Sequence, residues 1–224
     1  MKVLAINGSP RPNCNTATLL NYAVEGAASQ GAETELVHLY DLDFKGCISC
    51  GACKEINGKN YGRCAVNDGL TPVLQKVEDV EALVLGSPIY FADVTGEMRS
   101  FMERLLFQHG GGRRFEPGRA HWFLPYDANH STLIKTGLIY TMNQKEDVVK
   151  QIGWDLIFRL NEMIMARRFG QSESLIVYDT ILWDDYSKYV SMGVDVKAKA
   201  KTRKEEFPKD CQKAFDMGVR FAKS

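Results

Sequence analysis

Short apolar runs alternate with helix-like segments along the chain, and this alternation constrains the fold more than any other feature. Two of the runs, at 3–7 and 80–85, are each followed by the sequence Gly-Ser-Pro. A run of four to eight apolar residues bounded by turn residues predicts a buried strand. Strands that alternate with helices predict a parallel sheet covered on both faces, which is an α/β doubly wound fold.

Five strands are predicted, at 3–7, 33–39, 80–85, 136–142 and 175–182. Helices are predicted at 16–29, 70–77, 96–107, 146–169 with an interruption at Gly153, and 208–223. The mixed-charge run at 197–206 is predicted to be a solvated helix face. No low-complexity linker and no internal repeat divides the chain, so we expect a single domain over 1–224. Within it, 44–67 forms a cysteine-rich loop and 108–132 an irregular insertion.

The charge balance removes several classes of partner. Lys and Arg total 28, and Asp and Glu total 28, so the formal net charge is zero. There is thus no overall electrostatic reason to bind nucleic acid or an anionic membrane surface. No apolar run approaches the roughly 20 residues that a membrane helix needs. The first residues lead directly into a strand pattern without a secretory signal, so we expect a cytoplasmic protein.

The loop after the first predicted strand has the composition of an anion site. It carries hydroxyl and amide side chains at Ser9, Asn15 and Thr16, and Arg11 is its one charge. Backbone N–H groups at the start of the next helix favour anions, and an arginine adds a charge-assisted contact. The loop matches neither a Walker A nor a dinucleotide motif, and it suits a terminal phosphomonoester. The alternative is an ordinary turn with Asn15 or Thr16 as the helix N-cap.

The loop after the third predicted strand carries an aromatic pair, Tyr90-Phe91, preceded by Pro88-Ile89. Ligands of an open α/β sheet bind beyond the carboxyl ends of the strands. Flat apolar side chains at that edge can pack against a planar ring. The alternative is that the two aromatic residues pack beneath a neighbouring loop.

Four cysteines fall within 18 residues, at Cys47, Cys50, Cys53 and Cys64, with the spacing C-x2-C-x2-C-x10-C. Closely spaced thiolates suit an iron–sulfur cluster, in which each iron takes a soft sulfur ligand. A zinc site usually uses two separated pairs, so it fits this spacing less well. A redox disulfide among the same residues is the remaining alternative.

Beyond these single motifs, the chain resembles the NAD(P)H-dependent FMN reductase group of flavodoxin-like proteins. The resemblance rests on Gly8-Ser9-Pro10-Arg11 with Asn15-Thr16, on the segment 87–91, and on the helix that follows at 96–104. It implies an FMN phosphate on Ser9, Arg11, Asn15 and Thr16. It places the isoalloxazine against Pro88, Ile89, Tyr90 and Phe91, with a third contact loop at Thr141, Met142 and Asn143. Pro12, Cys14 and Ala92-Asp93 depart from the residues that relatives often have.

The cysteine stretch resembles the motif of iron–sulfur flavoproteins, in which a [4Fe-4S] cluster passes electrons to FMN, although the last gap here is longer. The resemblance implies an FMN-dependent oxidoreductase that takes hydride from NAD(P)H and passes electrons to a small-molecule or protein acceptor. No side-chain catalytic residue is implied, because the flavin performs the chemistry. Relatives commonly build the flavin pocket at a dimer contact, so a homo-oligomer is expected. Two alternatives are an electron carrier between ferredoxin-like partners without a nicotinamide site, and a cysteine-based redox or metal sensor.

Overall fold

The computed structural model describes residues 1–109, 134–191 and 193–223, which contain six strands and seven α-helices. The strands are β1 (Lys2–Asn7), β2 (Glu33–His38), β3 (Ala82–Tyr90), β4 (Asp93–Val94), β5 (Lys135–Thr141) and β6 (Ser172–Val177). The helices are α1 (Asn15–Ala28), α2 (Thr71–Val77), α3 (Gly96–His109), α4 (Glu146–Gln151), α5 (Asp155–Phe169), α6 (Val196–Glu205) and α7 (Phe207–Phe221).

Five of the strands form a parallel sheet in the order β2-β1-β3-β5-β6, and the short β4 pairs antiparallel with β3. Without β4, the five parallel strands follow the order 2-1-3-4-5, which is that of flavodoxin-like proteins. The predicted fold class is therefore confirmed. The strand order reverses between β1 and β3, so ligands are expected beyond the carboxyl ends of these two strands.

Both faces of the sheet are covered, because successive side chains of each strand point to opposite sides. Leu4 and Ile6 of β1 belong to an apolar cluster with α2, α3 and α5, whereas Val3 and Ala5 belong to a second cluster with α1 and α7. None of the described helices has the length and apolarity needed to cross a bilayer.

Two predicted strands have wrong boundaries, and tertiary pairing explains both. β3 continues through the predicted Gly-Ser-Pro stop to Tyr90, because these residues align with β5 as far as Pro88 beside Thr141. β6 spans Ser172–Val177 in place of 175–182, since its pairing with β5 begins at Ser172. It ends before Asp179, which has a left-handed φ of 52°.

The remaining elements differ less from prediction. The predicted interruption at Gly153 is confirmed by its φ of 76°, which separates α4 from α5. α3 continues to His109, so the first two residues of the predicted insertion at 108–132 are helical. The rest of that insertion lies outside the described residues.

Candidate functional site

Three segments at the carboxyl edge of the sheet are joined by hydrogen bonds. They are the first loop (8–14), the β3–β4 hairpin with Thr95 (87–95), and the third loop (141–144). Thr95 Oγ1 donates to the carbonyl of Gly8 at 2.7 Å, and Thr95 N donates to Ser87 Oγ at 3.0 Å. The hydroxyls of Thr16 and Thr141 lie 2.8 Å apart and connect the start of α1 to the third loop. The segments predicted to share a ligand are therefore neighbours.

Hydrogen bonds within the first loop determine its backbone. Asn7 is fully buried, and its Oδ1 accepts from Ser9 N at 2.9 Å. Ser9 Oγ in turn accepts from Arg11 N at 3.1 Å. A Cβ at Gly8 would stand 2.7 Å from the Cβ of Met98, so only glycine lets the loop pass this close to α3.

The first turn of α1 lacks the side-chain cap that the sequence offered as the alternative to an anion site. Asn15 is the first helical residue, and the N-cap is Cys14, whose side chain makes no capping hydrogen bond. Backbone N–H groups at the start of a helix have no intrahelical partner, and the helix dipole favours an anion there. The alternative with Asn15 or Thr16 as the N-cap is therefore wrong.

The polar side chains predicted to hold a phosphate also hold the loop in place. Asn15 Nδ2 donates to the carbonyl of Ile181 at 2.8 Å, and Asn15 Oδ1 accepts from Arg203 at 2.7 Å. The exposed Arg11 donates one N–H to the carbonyl of Leu182. Segment 181–182 thus closes against the first loop, and the guanidinium of Arg11 has further N–H groups to offer.

The β3–β4 hairpin presents its two aromatic side chains to solvent. Phe91 is fully exposed, and Tyr90 is 44% exposed. Packing beneath a neighbouring loop, the alternative raised by the sequence, is not seen among the described residues. Phe91 and Ala92 form the turn with φ of 48° and 76°. Non-glycine residues in the left-handed region cost about 1–2 kcal/mol each, and such strain is typical of ligand sites.

Charged and polar residues that the sequence analysis missed hold this hairpin. Asp93 on β4 forms an ion pair with Arg99 of α3 and accepts from Asn161 of α5 at 3.3 Å. Tyr40, which follows β2, lies near Glu97 of α3 and Tyr90 of the hairpin. Burial raises the pKa of the Tyr40 hydroxyl and the neighbouring Glu97 carboxylate raises it further, so Tyr40 remains protonated.

The third loop carries an unsatisfied acceptor. Two hydrogen bonds hold the backbone of Met142. Its N–H donates to the carbonyl of Val177 at 3.1 Å, and its carbonyl accepts from the N–H of Thr180 at 2.9 Å. The backbone carbonyl of Asn143 accepts from Lys199 Nζ at 2.8 Å. Asn143 Oδ1 is buried without a donor among the described residues. An unpaired buried acceptor is costly, so this atom indicates where a ligand donor would bind.

Lys199 is the residue holding the third loop that the sequence analysis least anticipated. It lies in the run predicted to be a solvated helix face, yet its side chain is only 7% exposed, so that prediction is wrong at this residue. Its ammonium lies 2.5 Å from Asp179 Oδ1. No local pattern distinguishes it from the exposed lysines around it. Tyr40 could have been found, because the edge rule applied to the first, third and fourth predicted strands applies equally to the second.

The four clustered cysteines line one cavity. Its other lining residues come from the same loop and from α3, and they include Val66, Arg104, Phe107 and Gln108. Cys47 N donates to Glu103 Oε2 at 3.2 Å and Cys64 N donates to Gln108 Oε1 at 3.0 Å, so α3 orients both ends of the loop. The spacing had predicted that these residues act together, and the fold places them around a common space.

The cysteines are free thiols, with Cys53 buried, Cys47 and Cys64 half-buried, and Cys50 exposed. Burial raises the pKa of Cys53, Lys54 opposes that rise, and the neighbouring Cys64 and Cys47 add to it. Within the described residues, no three His, Cys, Asp or Glu side chains stand close enough to hold a metal ion. A single zinc would need sulfurs about 2.3 Å from one point, so the arrangement does not support that alternative.

Known proteins with similar sequences are iron–sulfur flavoproteins. One from Methanocaldococcus jannaschii is 38% identical over 104 residues, which are 46% of this chain and 51% of that protein. Another from Archaeoglobus fulgidus is 38% identical over 114 residues, which are 51% of this chain and 53% of that one. The chain thus spans about half the length of the curated relatives it matches.

Solved structures show the same fold at low sequence identity. An NAD(P)H:quinone oxidoreductase from Methanothermobacter marburgensis has a TM-score of 0.64 at 14% identity and covers 100% of this chain and 98% of its own. An azoreductase from Bacillus anthracis has a TM-score of 0.62 at 11% identity over 99% and 100% of the two chains. A family model described as NADPH-dependent FMN reductase matches residues 1–123, more than half of the 224. The chain belongs to that family of flavoproteins.

Proposed function

We propose that this protein is an FMN-dependent oxidoreductase that is reduced by NAD(P)H and passes electrons to a further acceptor. The observation that carries the proposal is the hydrogen-bonded junction of the three segments at the reversal of strand order. That junction combines an anion site, an exposed aromatic pair and an unpaired acceptor. FMN has a matching phosphate, planar ring and ring N–H.

Each part of the edge has a distinct task in this proposal. The first turn of α1 and Arg11 bind the phosphate, while Asn15 and Thr16 keep the loop in shape for it. Tyr90 and Phe91 pack against the ring, and Asn143 Oδ1 accepts from it. When bound, FMN supplies acceptance of hydride and release of electrons singly or in pairs. The protein residues orient the ring and exclude water from one of its faces.

The decisive test is a titration of flavin-free protein with FMN, followed by rapid mixing with NADH or NADPH. We expect FMN to bind and its visible absorbance to bleach on mixing. Protein that has no affinity for FMN would contradict the whole proposal. FMN that binds but does not bleach would favour an electron carrier without a nicotinamide site.

Replacing Arg11 with methionine is expected to weaken FMN binding about 10- to 100-fold. A hydrogen bond to a charged group contributes roughly 1.5–3 kcal/mol, and the substitution removes the charge from the first loop. R11K, which keeps the charge, should recover part of the affinity. The measurement is the Kd from fluorescence quenching of FMN.

The matched control for R11M is R159M. Arg159 is an exposed arginine of α5 that pairs with Asp155, one helical turn away, and not with a residue of the three segments. Its replacement should leave the Kd for FMN unchanged. Equal Kd values for R11M and wild type would show that Arg11 does not contact the phosphate.

We also propose that the cysteine cavity holds a [4Fe-4S] cluster, with Cys47, Cys50, Cys53 and Cys64 as ligands. Four cysteines around one cavity supply the thiolate set that such a cluster needs, one for each iron. In such a cluster each iron takes a different thiolate, so the four sulfurs do not have to converge on one point. When bound, the cluster supplies one-electron transfer.

Substituting Cys53 with serine is expected to abolish bound iron and acid-labile sulfide while FMN binding persists. The thiol of Cys53 is the buried one of the four, so its loss removes a central ligand. The matched control is C211S, which alters a buried thiol on α7 outside the loop. Iron, sulfide and flavin are quantified on anaerobically purified protein.

Wild-type protein without iron and sulfide would contradict the cluster proposal and leave the flavin proposal standing. Metal without flavin would instead favour the cysteine-based sensor. The final acceptor, a homo-oligomeric assembly and a cytoplasmic location stay predictions.

A further inference from the structure

Arg104 of α3 is a buried cation at the cysteine cavity. Its side chain is fully buried, and among the described residues that line the cavity it alone is charged. Buried arginines are rare unless they are paired, because removing the charge from water is costly. Each N–H group of this buried guanidinium is therefore expected to have an acceptor.

The terminal nitrogens of Arg104 have protein partners. NH1 donates to Asp68 Oδ2 at 2.6 Å and to the carbonyl of Lys45 at 3.2 Å. NH2 donates to the carbonyl of Val66 at 3.0 Å. These bonds connect α3 to both flanks of the cysteine loop, so Arg104 holds the loop against the helix.

The Nε–H of Arg104 remains unexplained by those contacts. It is buried and has no acceptor among the described residues. An unsatisfied buried donor costs about 1–3 kcal/mol, more for a charged group, so native proteins rarely retain one without a partner. Arg104 lines the same cavity as the four cysteines, whose sulfurs are candidate acceptors.

We propose that Arg104 donates its Nε–H to a sulfur of the cluster held in this cavity, and that its charge raises the reduction potential of that cluster. The proposal rests on the cluster part of the proposed function. Four cysteinates give a cluster site net negative charge, and reduction adds one more. A buried cation and a hydrogen bond to sulfur both stabilise the more negative form.

Asp68 determines how much of that positive charge the cavity experiences. Its carboxylate lies 2.6 Å from Arg104 and is 18% exposed, so it offsets part of the arginine charge. Charge at Arg104 and charge at Asp68 should therefore shift the potential in opposite directions. A purely structural role for the pair predicts no such opposition.

The test is an EPR-monitored redox titration of anaerobically purified wild type, R104K and D68N. R104K keeps a positive charge but lacks the Nε–H, and we expect a lower midpoint potential. D68N keeps the size of the side chain and an acceptor for Arg104, and we expect a higher one. Each shift should reach at least tenfold in the equilibrium constant for reduction, which is 59 mV for one electron.

The control is R220M, which removes an exposed arginine paired with Glu173 and should leave the potential unchanged. Unchanged potentials in cluster-loaded R104K and D68N, or shifts of the same sign, overturn the proposal. If R104K loses its iron, D68N decides alone, since a rise supports the proposal and no change overturns it. Wild-type protein that lacks iron and sulfide overturns both the cluster site and this inference. The metal analysis thus tests the cluster, whereas the potentials test the role of Arg104.

Discussion

Replacing Lys199 with methionine is expected to lower the free energy of unfolding by about 3–5 kcal/mol. Lys199 and Asp179 form an ion pair with side chains only 7% and 13% exposed. Removing one partner of such a pair leaves the other charge buried and uncompensated, which is the costly case. The ammonium also donates to the carbonyl of Asn143, so the third loop loses an anchor. Chemical denaturation at neutral pH measures the loss, and FMN affinity should fall with it.

The control for K199M is the double variant K199M/D179N. Asparagine at position 179 removes the carboxylate charge that K199M leaves unpaired, and it tolerates the left-handed φ of 52° there. Most of the stability should therefore return. A loss below about 1 kcal/mol in K199M would show that water reaches the pair and screens it, as at a surface. The substitution K197M, at an exposed position of the same helix, should have little effect.

Substituting Gly218 with alanine is expected to destabilise the protein by about 3 kcal/mol. A Cβ at this position would stand 1.9 Å from the carbonyl oxygen of Ala23, so α7 would have to move away from α1. A Cβ added at Gly26 of α1 would likewise stand 2.0 Å from the carbonyl oxygen of Phe215 in α7. Overpacking of this kind outweighs the roughly 1 kcal/mol that alanine gains over glycine in a helix.

The control for G218A is G96A. Gly96 begins α3, and a Cβ added there would meet no atom of the described residues within 4 Å, so alanine should cause no loss of stability. Thermal unfolding followed by circular dichroism measures both variants. A melting temperature of G218A equal to that of wild type would mean that the two helices are not in backbone contact.

The periodicity of the sequence determined the class of fold. Apolar runs such as 3–7, bounded by turn residues, predict strands of a parallel sheet from residues that are close together in the chain. The spacing of the cysteines and the composition of the first loop likewise indicated two chemical sites. Each of these indications depends only on residues that are close together in the chain.

Strand ends and supporting contacts were decided only by the tertiary structure. The Gly-Ser-Pro after the third apolar run looks like a stop, but pairing with β5 extends the strand through it to Tyr90. Ladder hydrogen bonds from a neighbouring strand outweigh weak local preferences.

The same holds for Lys199, Arg104 and Gly218, which look ordinary in the sequence. Lys199 finds its carboxylate 20 residues away, Arg104 finds Asp68 36 residues away, and Gly218 meets a helix at the other end of the chain. Burial and charge pairing arise from contacts between segments that are distant in sequence. A local pattern therefore indicates which chemistry the protein carries, and only packing reveals which residues hold that chemistry in place.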